Sequence, residues 1–167
     1  ALVVAPLSRK QEAEAYVRKV SADREKWFTD RWVEEVPGPD SNASAPSAED
    51  KDRGYVLFAR NWMSDVHPYL EPKGEERDPT LKLMAAPGER EPAAFLVRSL
   101  KDLKAIEVAV SDLTGPEGAV IPARAFEHWI VRYETRPYPG GVYRIEAVTL
   151  EKRPPIDLDA GITKMYF

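Results

Sequence analysis

From about residue 55 onward, several stretches of the chain alternate apolar and polar residues, and this period of two is typical of β-strands. The alternation is clearest within residues 81–112, where Ala93, Phe95 and Val97 fall on one face of an extended segment and Leu96 falls on the other. Apolar side chains on both faces are typical of a strand that is covered on two sides. We predict three short strands in this stretch.

The turn signals support this interpretation. Pro87 and Gly88 occupy the second and third positions of residues 86–89, which favours a type II turn, because the third position requires a positive φ. Pro116 and Gly118 occupy the second and last positions of residues 115–118, which favours a type I turn. A further turn is predicted at residues 139–141.

Period-two patterning also predicts strands at residues 55–60, 126–134, 142–150 and 162–167. Some seven strands with no alternating helices indicate a mainly β fold, an antiparallel β-sandwich of the immunoglobulin or jelly-roll type. The last of these strands ends the sequence, and the first residue is not Met, so we expect a fragment of a longer chain with a truncated C-terminal strand.

One amphipathic α-helix is predicted before the sandwich, over residues 9–34. Ser8 and Gln11 have the spacing of a capping box, and no Gly or Pro follows until Pro37. We expect the helix to pack against the sheet or a neighbouring domain through its apolar stripe. That stripe consists of Ala13, Tyr16, Val17, Val20, Trp27 and Phe28.

The chain divides into three predicted parts, an N-terminal helical segment at residues 1–36, a linker at 37–53 and the sandwich domain at 54–167. The linker is rich in Pro, Ser, Ala and Asp and offers little to bury. The net charge of −4, with both signs interspersed, disfavours nucleic acid as a partner, and no segment predicts membrane insertion. There is no cysteine for disulfide or thiolate chemistry.

The residue types of several reactive centres occur without the arrangement that the chemistry needs. Ser64, Asp65 and His67 are too close in sequence to form a hydrolytic triad. Asp157 and Asp159 supply too few oxygens for calcium, and Glu89 with Glu91 flanks a solvated turn. With two histidines in the chain, we expect no catalytic residue, metal site or cofactor.

Aromatic residues in or beside loops are the candidates for binding. Trp62, Tyr69, Tyr138 and Tyr143 would offer flat apolar faces to a carbohydrate if they are exposed, whereas buried rings would close the ends of the core. Both possibilities remain open from the sequence.

Four segments carry a resemblance to a known family: GYVLFAR at 54–60, AAPGEREP at 85–92, residues 100–123 and DLDAGITKMYF at 157–167. Residues 54–167 resemble the N-terminal β-sandwich domain that precedes the catalytic barrel in glycoside hydrolase family 123 and in related secreted bacterial proteins. Arg90 departs from the family, which has an aromatic residue, usually Tyr, at that position.

The resemblance implies a non-catalytic accessory domain of a secreted glycoside hydrolase. Such a domain packs on a downstream catalytic barrel of the same parent chain and contacts polysaccharide, in a secreted, periplasmic or cell-surface location. The alternative is a structural or protein-interaction module of a surface or extracellular assembly, which would pair an open strand edge at residues 165–167 with another chain.

Overall fold

The computed structural model describes residues 10–38, 42–61, 63–64, 66–77, 79–152 and 155–167. The α-helices and β-strands of the described residues, in chain order, are α1 (Lys10–Thr29), β1 (Val33–Glu34), α2 (Ala48–Arg53), β2 (Tyr55–Phe58), β3 (Phe95–Ser99), β4 (Leu103–Ile106), β5 (Leu113–Thr114), β6 (Val120–Ile121), β7 (Ile130–Tyr138), β8 (Val142–Glu151), β9 (Ile156–Leu158) and β10 (Thr163–Tyr166). The described chain is therefore mainly strands with one long helix, as predicted.

The largest sheet is open and mixed. Its hydrogen-bonded order is β1, β8, β7, β10, β3, β2, while β4 pairs with β9 and β5 with β6 in two small antiparallel sheets. β1 runs parallel to β8, whereas β10 is antiparallel to both β3 and β7. The prediction of a purely antiparallel arrangement is therefore wrong at β1.

The chain forms two compact units, one of residues 1–35 with 136–144 and the other of residues 36–135 with 145–167. The first unit contains α1, β1 and the tip of the β7–β8 hairpin. The second contains the β2, β3 and β10 ladder and the apolar core.

The core of the second unit lies on both faces of that ladder, because alternate residues of each strand point to opposite sides. One face buries Phe58, Leu96 and Met165, and the other buries Val97 and Tyr166. The alternation predicted for residues 93–98 is confirmed.

Several local predictions are confirmed. β2, β3 and β10 lie within the stretches predicted as strands, and β8 begins at the predicted residue and ends one residue later, at Glu151. The turn at residues 86–89 closes with Glu89 N–H donating to the Ala86 carbonyl at 3.0 Å. Gly88 has a φ of 84°, as a type II turn requires.

Other predictions are wrong. Residues 81–94 and 107–112 contain no strand, and β7 starts at Ile130 rather than 126. The turn predicted at residues 115–118 instead closes one residue later, where Ala119 N–H donates to the Pro116 carbonyl at 3.1 Å. Its two central residues, Glu117 and Gly118, have φ values of 56° and 77°, as in a type I′ rather than a type I turn. The twist of a type I′ turn matches that of the strands in a hairpin.

The helix ends five residues before its predicted end at residue 34. Val33 N–H donates to the Gly141 carbonyl at 2.9 Å and Glu35 N–H to the Tyr143 carbonyl at 2.7 Å, so this stretch pairs with β8 instead. The expected apolar stripe is largely exposed at Tyr16, Val17 and Trp27. The capping box at Ser8 lies outside the described residues.

Two further expectations concerned residues 37–53 and the C-terminal strand. The interval predicted as a linker contains α2, which is capped at both ends, by Ser47 and by Gly54 in the left-handed conformation.

The C-terminal strand β10 lies between β7 and β3, so it does not offer the open edge on which the interaction-module alternative relied.

Candidate functional site

Aromatic side chains concentrate where the end of α1 meets the β7–β8 hairpin. Phe28 and Trp32 are four residues apart and therefore lie on one side of the chain, with their rings stacked at 5.6 Å between centroids. The ring of Tyr143 lies 5.0 Å from that of Phe28. These three rings contact one another in a row, with Phe28 in the middle.

Tyr143 faces the helix side of the hairpin. Its hydroxyl donates to a carboxylate oxygen of Glu34 at 3.2 Å. Burial raises the pKa of Tyr143, and the negative charge of Glu34 raises it further. Tyr143 is therefore a half-buried packing residue of the first unit.

Tyr138 belongs to the opposite face. Arg144 follows Tyr143 on β8 and so points the other way, where its guanidinium lies 4.9 Å from the centre of the Tyr138 ring. The same guanidinium donates to both carboxylate oxygens of Glu35, at 3.1 and 2.8 Å, and this hydrogen bonding holds the pKa of Glu35 below its usual range. Tyr138 and Tyr143, both predicted as binding residues, thus share a hairpin but line no common surface.

Trp27 directly precedes Phe28 in the last turn of α1, but its side chain is exposed. The residue is 53% exposed, and the guanidinium of Arg31 lies 4.9 Å from the indole centre. Nη1 of Arg31, two residues beyond the helix, donates to the Trp27 carbonyl in its last turn at 3.3 Å, which keeps the two residues together. Sequence reasoning placed Trp27 on a buried face; the four-residue spacing of Trp27 and Arg31 was the signal that could have revealed the pair.

The other two predicted binding residues belong to the second unit. Trp62 lies outside the described residues. Tyr69 is half-buried with its ring 6.4 Å from that of His67, and its backbone carbonyl lies 3.4 Å from Nη1 of Arg98. Tyr69 therefore packs within the second unit.

The second unit contains a buried carboxylate that the sequence did not reveal. Asp50 on α2 is 2% exposed, and its side chain accepts hydrogen bonds from Arg53 at 2.5 Å, Arg77 at 2.5 Å and the Ser47 N–H at 2.8 Å. Burial alone would raise the pKa of Asp50, but the hydrogen bonds from Ser47 and the charges of Arg53 and Arg77 outweigh it and lower the pKa.

Two more arginine pairs fasten neighbouring segments. Arg60 forms a two-pronged ion pair with Glu76, at 2.6 and 2.7 Å, and also donates to the Glu71 carbonyl at 3.1 Å. Arg98 on β3 donates to a Glu71 carboxylate oxygen at 3.0 Å. These ion pairs hold residues 71–77 against β2 and β3, so the charged groups stabilise the fold.

Two of the acidic residues that are candidates for catalysis or calcium binding, Asp157 and Glu89, have local partners. Asp157 accepts hydrogen bonds from Lys104 and from the Ala105 N–H, both at 3.0 Å, and Glu89 accepts one from the Ala86 N–H at 2.7 Å. Within the ranges that the structure describes, no three His, Asp or Glu side chains come together to hold a metal ion. Asp65 lies outside those ranges.

Comparison of the chain with protein-family models, curated proteins and solved structures gives no match. The helices in the described part of the chain include none with the length and hydropathy needed to cross a membrane.

Proposed function

We propose that this chain is a non-catalytic accessory module of a secreted bacterial glycoside hydrolase and that it contacts glycan through Trp27. The exposed indole of Trp27, held at the end of α1 beside Arg31, is the observation that carries the proposal. The proposed partners are polysaccharide and a downstream catalytic domain of the same parent chain, in a secreted, periplasmic or cell-surface location.

The chemistry of the Trp27–Arg31 pair suits a sugar. The C–H face of a pyranose is apolar and packs on an aromatic ring, while its hydroxyls accept hydrogen bonds. Arg31 uses Nη1 toward the Trp27 carbonyl, and its guanidinium carries further N–H donors beside the ring. The pair thus offers an apolar surface and polar donors side by side.

The use of charge in the second unit supports the non-catalytic part of the proposal. In the described part of the second unit, the carboxyl groups of Asp50, which is buried, and Glu76, which is half-buried, both have lowered pKa values, and each is paired with an arginine. A catalytic acid needs the opposite shift, toward neutral pH.

The sandwich type of the fold also belongs to this proposal. β4 and β9 form a second small sheet, and their residues Leu103, Ile106, Ile156 and Leu158 pack into the core on one face of the large sheet. Two apolar sheet faces in contact are the defining feature of a sandwich.

Affinity electrophoresis in gels that contain soluble polysaccharides tests the proposal. We expect retardation of the chain in at least one glycan and a loss of about tenfold in affinity, ~1.4 kcal/mol, for Trp27→Ala. Tyr16→Ala is the matched control, because Tyr16 is 58% exposed on the same helix. Circular dichroism verifies that both variants keep the fold.

Two results would contradict the proposal. One is migration unchanged across a broad set of neutral and acidic polysaccharides. The other is binding that survives Trp27→Ala as well as it survives Tyr16→Ala.

The alternative, a structural or protein-interaction module, is supported by a different feature. Leu81, Leu83 and Met84 are exposed apolar side chains in one irregular segment of the second unit. Concentration-dependent self-association in size-exclusion chromatography, lost on Leu83→Ser, would favour this function over glycan binding.

A further inference from the structure

The three methionines of the chain occupy very different environments. Met84 is 90% exposed, Met63 is 76% exposed and Met165 is 1% exposed. The chain has no cysteine, so no thiol competes with the thioethers for an oxidant.

The surroundings of each methionine explain the difference. Met84 lies in residues 80–92, every one of which is exposed. The Met63 N–H donates to Asn61 Oδ1 at 2.9 Å, so its backbone is held while its side chain projects to solvent. Met165 on β10 packs in the core with Phe58 and Leu96.

We propose that Met84 and Met63 are sites of reversible oxidation by peroxides and that folding protects Met165. In this reaction the thioether sulfur attacks one peroxide oxygen, the O–O bond breaks and an S–O bond forms. Sulfur gives up two electrons, and the second peroxide oxygen leaves as water or, from an organic peroxide, as an alcohol after taking up a proton. The product is methionine sulfoxide, which sulfoxide reductases convert back to the thioether.

The modification changes the surface and leaves the core intact. A sulfoxide is polar, so it makes the exposed segment around Leu83 and Met84 less apolar. Because neither thioether at position 63 or 84 is buried, we expect the melting temperature of the doubly oxidised chain to equal that of the untreated chain.

The test is a time course of the intact chain in excess hydrogen peroxide, followed by proteolysis and mass spectrometry of the three methionine peptides. We expect Met84 and Met63 each to gain one oxygen. Met165 should be oxidised at least about a thousandfold more slowly than Met84, since the oxidant reaches it only when the chain unfolds. Met84→Leu and Met63→Leu should each remove one of the two early oxygens.

A control in denaturant shows whether folding causes the selectivity, because all three peptides should then oxidise at similar rates. The proposal is overturned if Met165 oxidises as fast as Met84 in the folded chain. It is also overturned if Met84 or Met63 stays reduced while free methionine in the same solution is consumed.

Discussion

Replacing Asp50 with Asn should lower the free energy of unfolding far more than a charge-neutralising substitution at an exposed position would. The change keeps the shape of the side chain but removes the charge that faces Arg53 and Arg77. Breaking a buried ion pair by removing one partner costs about 3–5 kcal/mol. The two arginine side chains retain 23% and 13% exposure, so solvent screens part of the loss and we expect the lower end, about 3 kcal/mol.

Arg77 makes the loss difficult to repair. Its Nη2 donates to the carbonyls of Ser44 and Ala45, and its Nε is buried without a hydrogen-bond partner. The guanidinium therefore cannot leave for solvent without also releasing those carbonyls.

Urea denaturation of the full chain at neutral pH measures the effect. Glu49→Gln is the matched control, since Glu49 is the exposed neighbour of Asp50 on α2, and it should change the free energy of unfolding by less than about 0.5 kcal/mol. If Asp50→Asn were no more destabilising than Glu49→Gln, the Asp50 pairs would contribute nothing net to the fold.

The pH dependence gives a second check. The pKa of Asp50 is lower in the folded chain than its ordinary value of 3.8, so its contribution is complete above that pH and is lost as the pH falls through the folded pKa. The difference in unfolding free energy between the natural chain and Asp50→Asn should be constant near neutral pH and shrink below about pH 3.8. A difference that grows on acidification would refute the reasoning.

Two backbone substitutions test the conformations on which the turns depend. Gly54→Ala should cost about 1–2 kcal/mol by urea denaturation, because Gly54 has a φ of 86° and its new Cβ would also displace the Lys101 side chain; an unchanged midpoint would contradict this. Glu117→Asn should stabilise by about 0.5 kcal/mol, since Asn before Gly118 tolerates the φ of 56° at this position, and a lower midpoint would count against the type I′ turn.

The sequence predicted those parts of the fold that local chemistry determines. The alternation in residues 95–99 predicts which side chains of β3 face each side of the sheet. Gly88 predicts the turn at residues 86–89, because its positive φ suits the third position of a type II turn. The end of α1 was not predictable in this way, because no Gly or Pro interrupts residues 10–36. It depends on Val33 and Glu34 pairing with a strand that lies more than 100 residues further along the chain.

The candidate site shows the same division. An apolar stripe shows that a helix has one face to bury, but it does not show which turns of that face meet a partner. Phe28 contacts Tyr143, while Trp27, one position earlier, lies in solvent. The spacing of Ser47 and Asp50 is that of a capping box, so the start of α2 could be predicted from the local sequence. The ion pair of Asp50 with Arg77, 27 residues later, could not be predicted in this way.

The arginines of the second unit donate hydrogen bonds to backbone carbonyls in irregular segments. Backbone outside helices and strands has carbonyls that no ladder satisfies, and leaving them unpaired when buried is costly. Arg77 supplies donors to the carbonyls of Ser44 and Ala45, and Arg98 supplies one to the carbonyl of Leu70. Because each guanidinium has several donors in a fixed plane, it can bind a carboxylate and these carbonyls together, which a lysine could not reproduce. The acidic residues in these pairs therefore hold the arginine side chains in position, and their negative charges stabilise the fold.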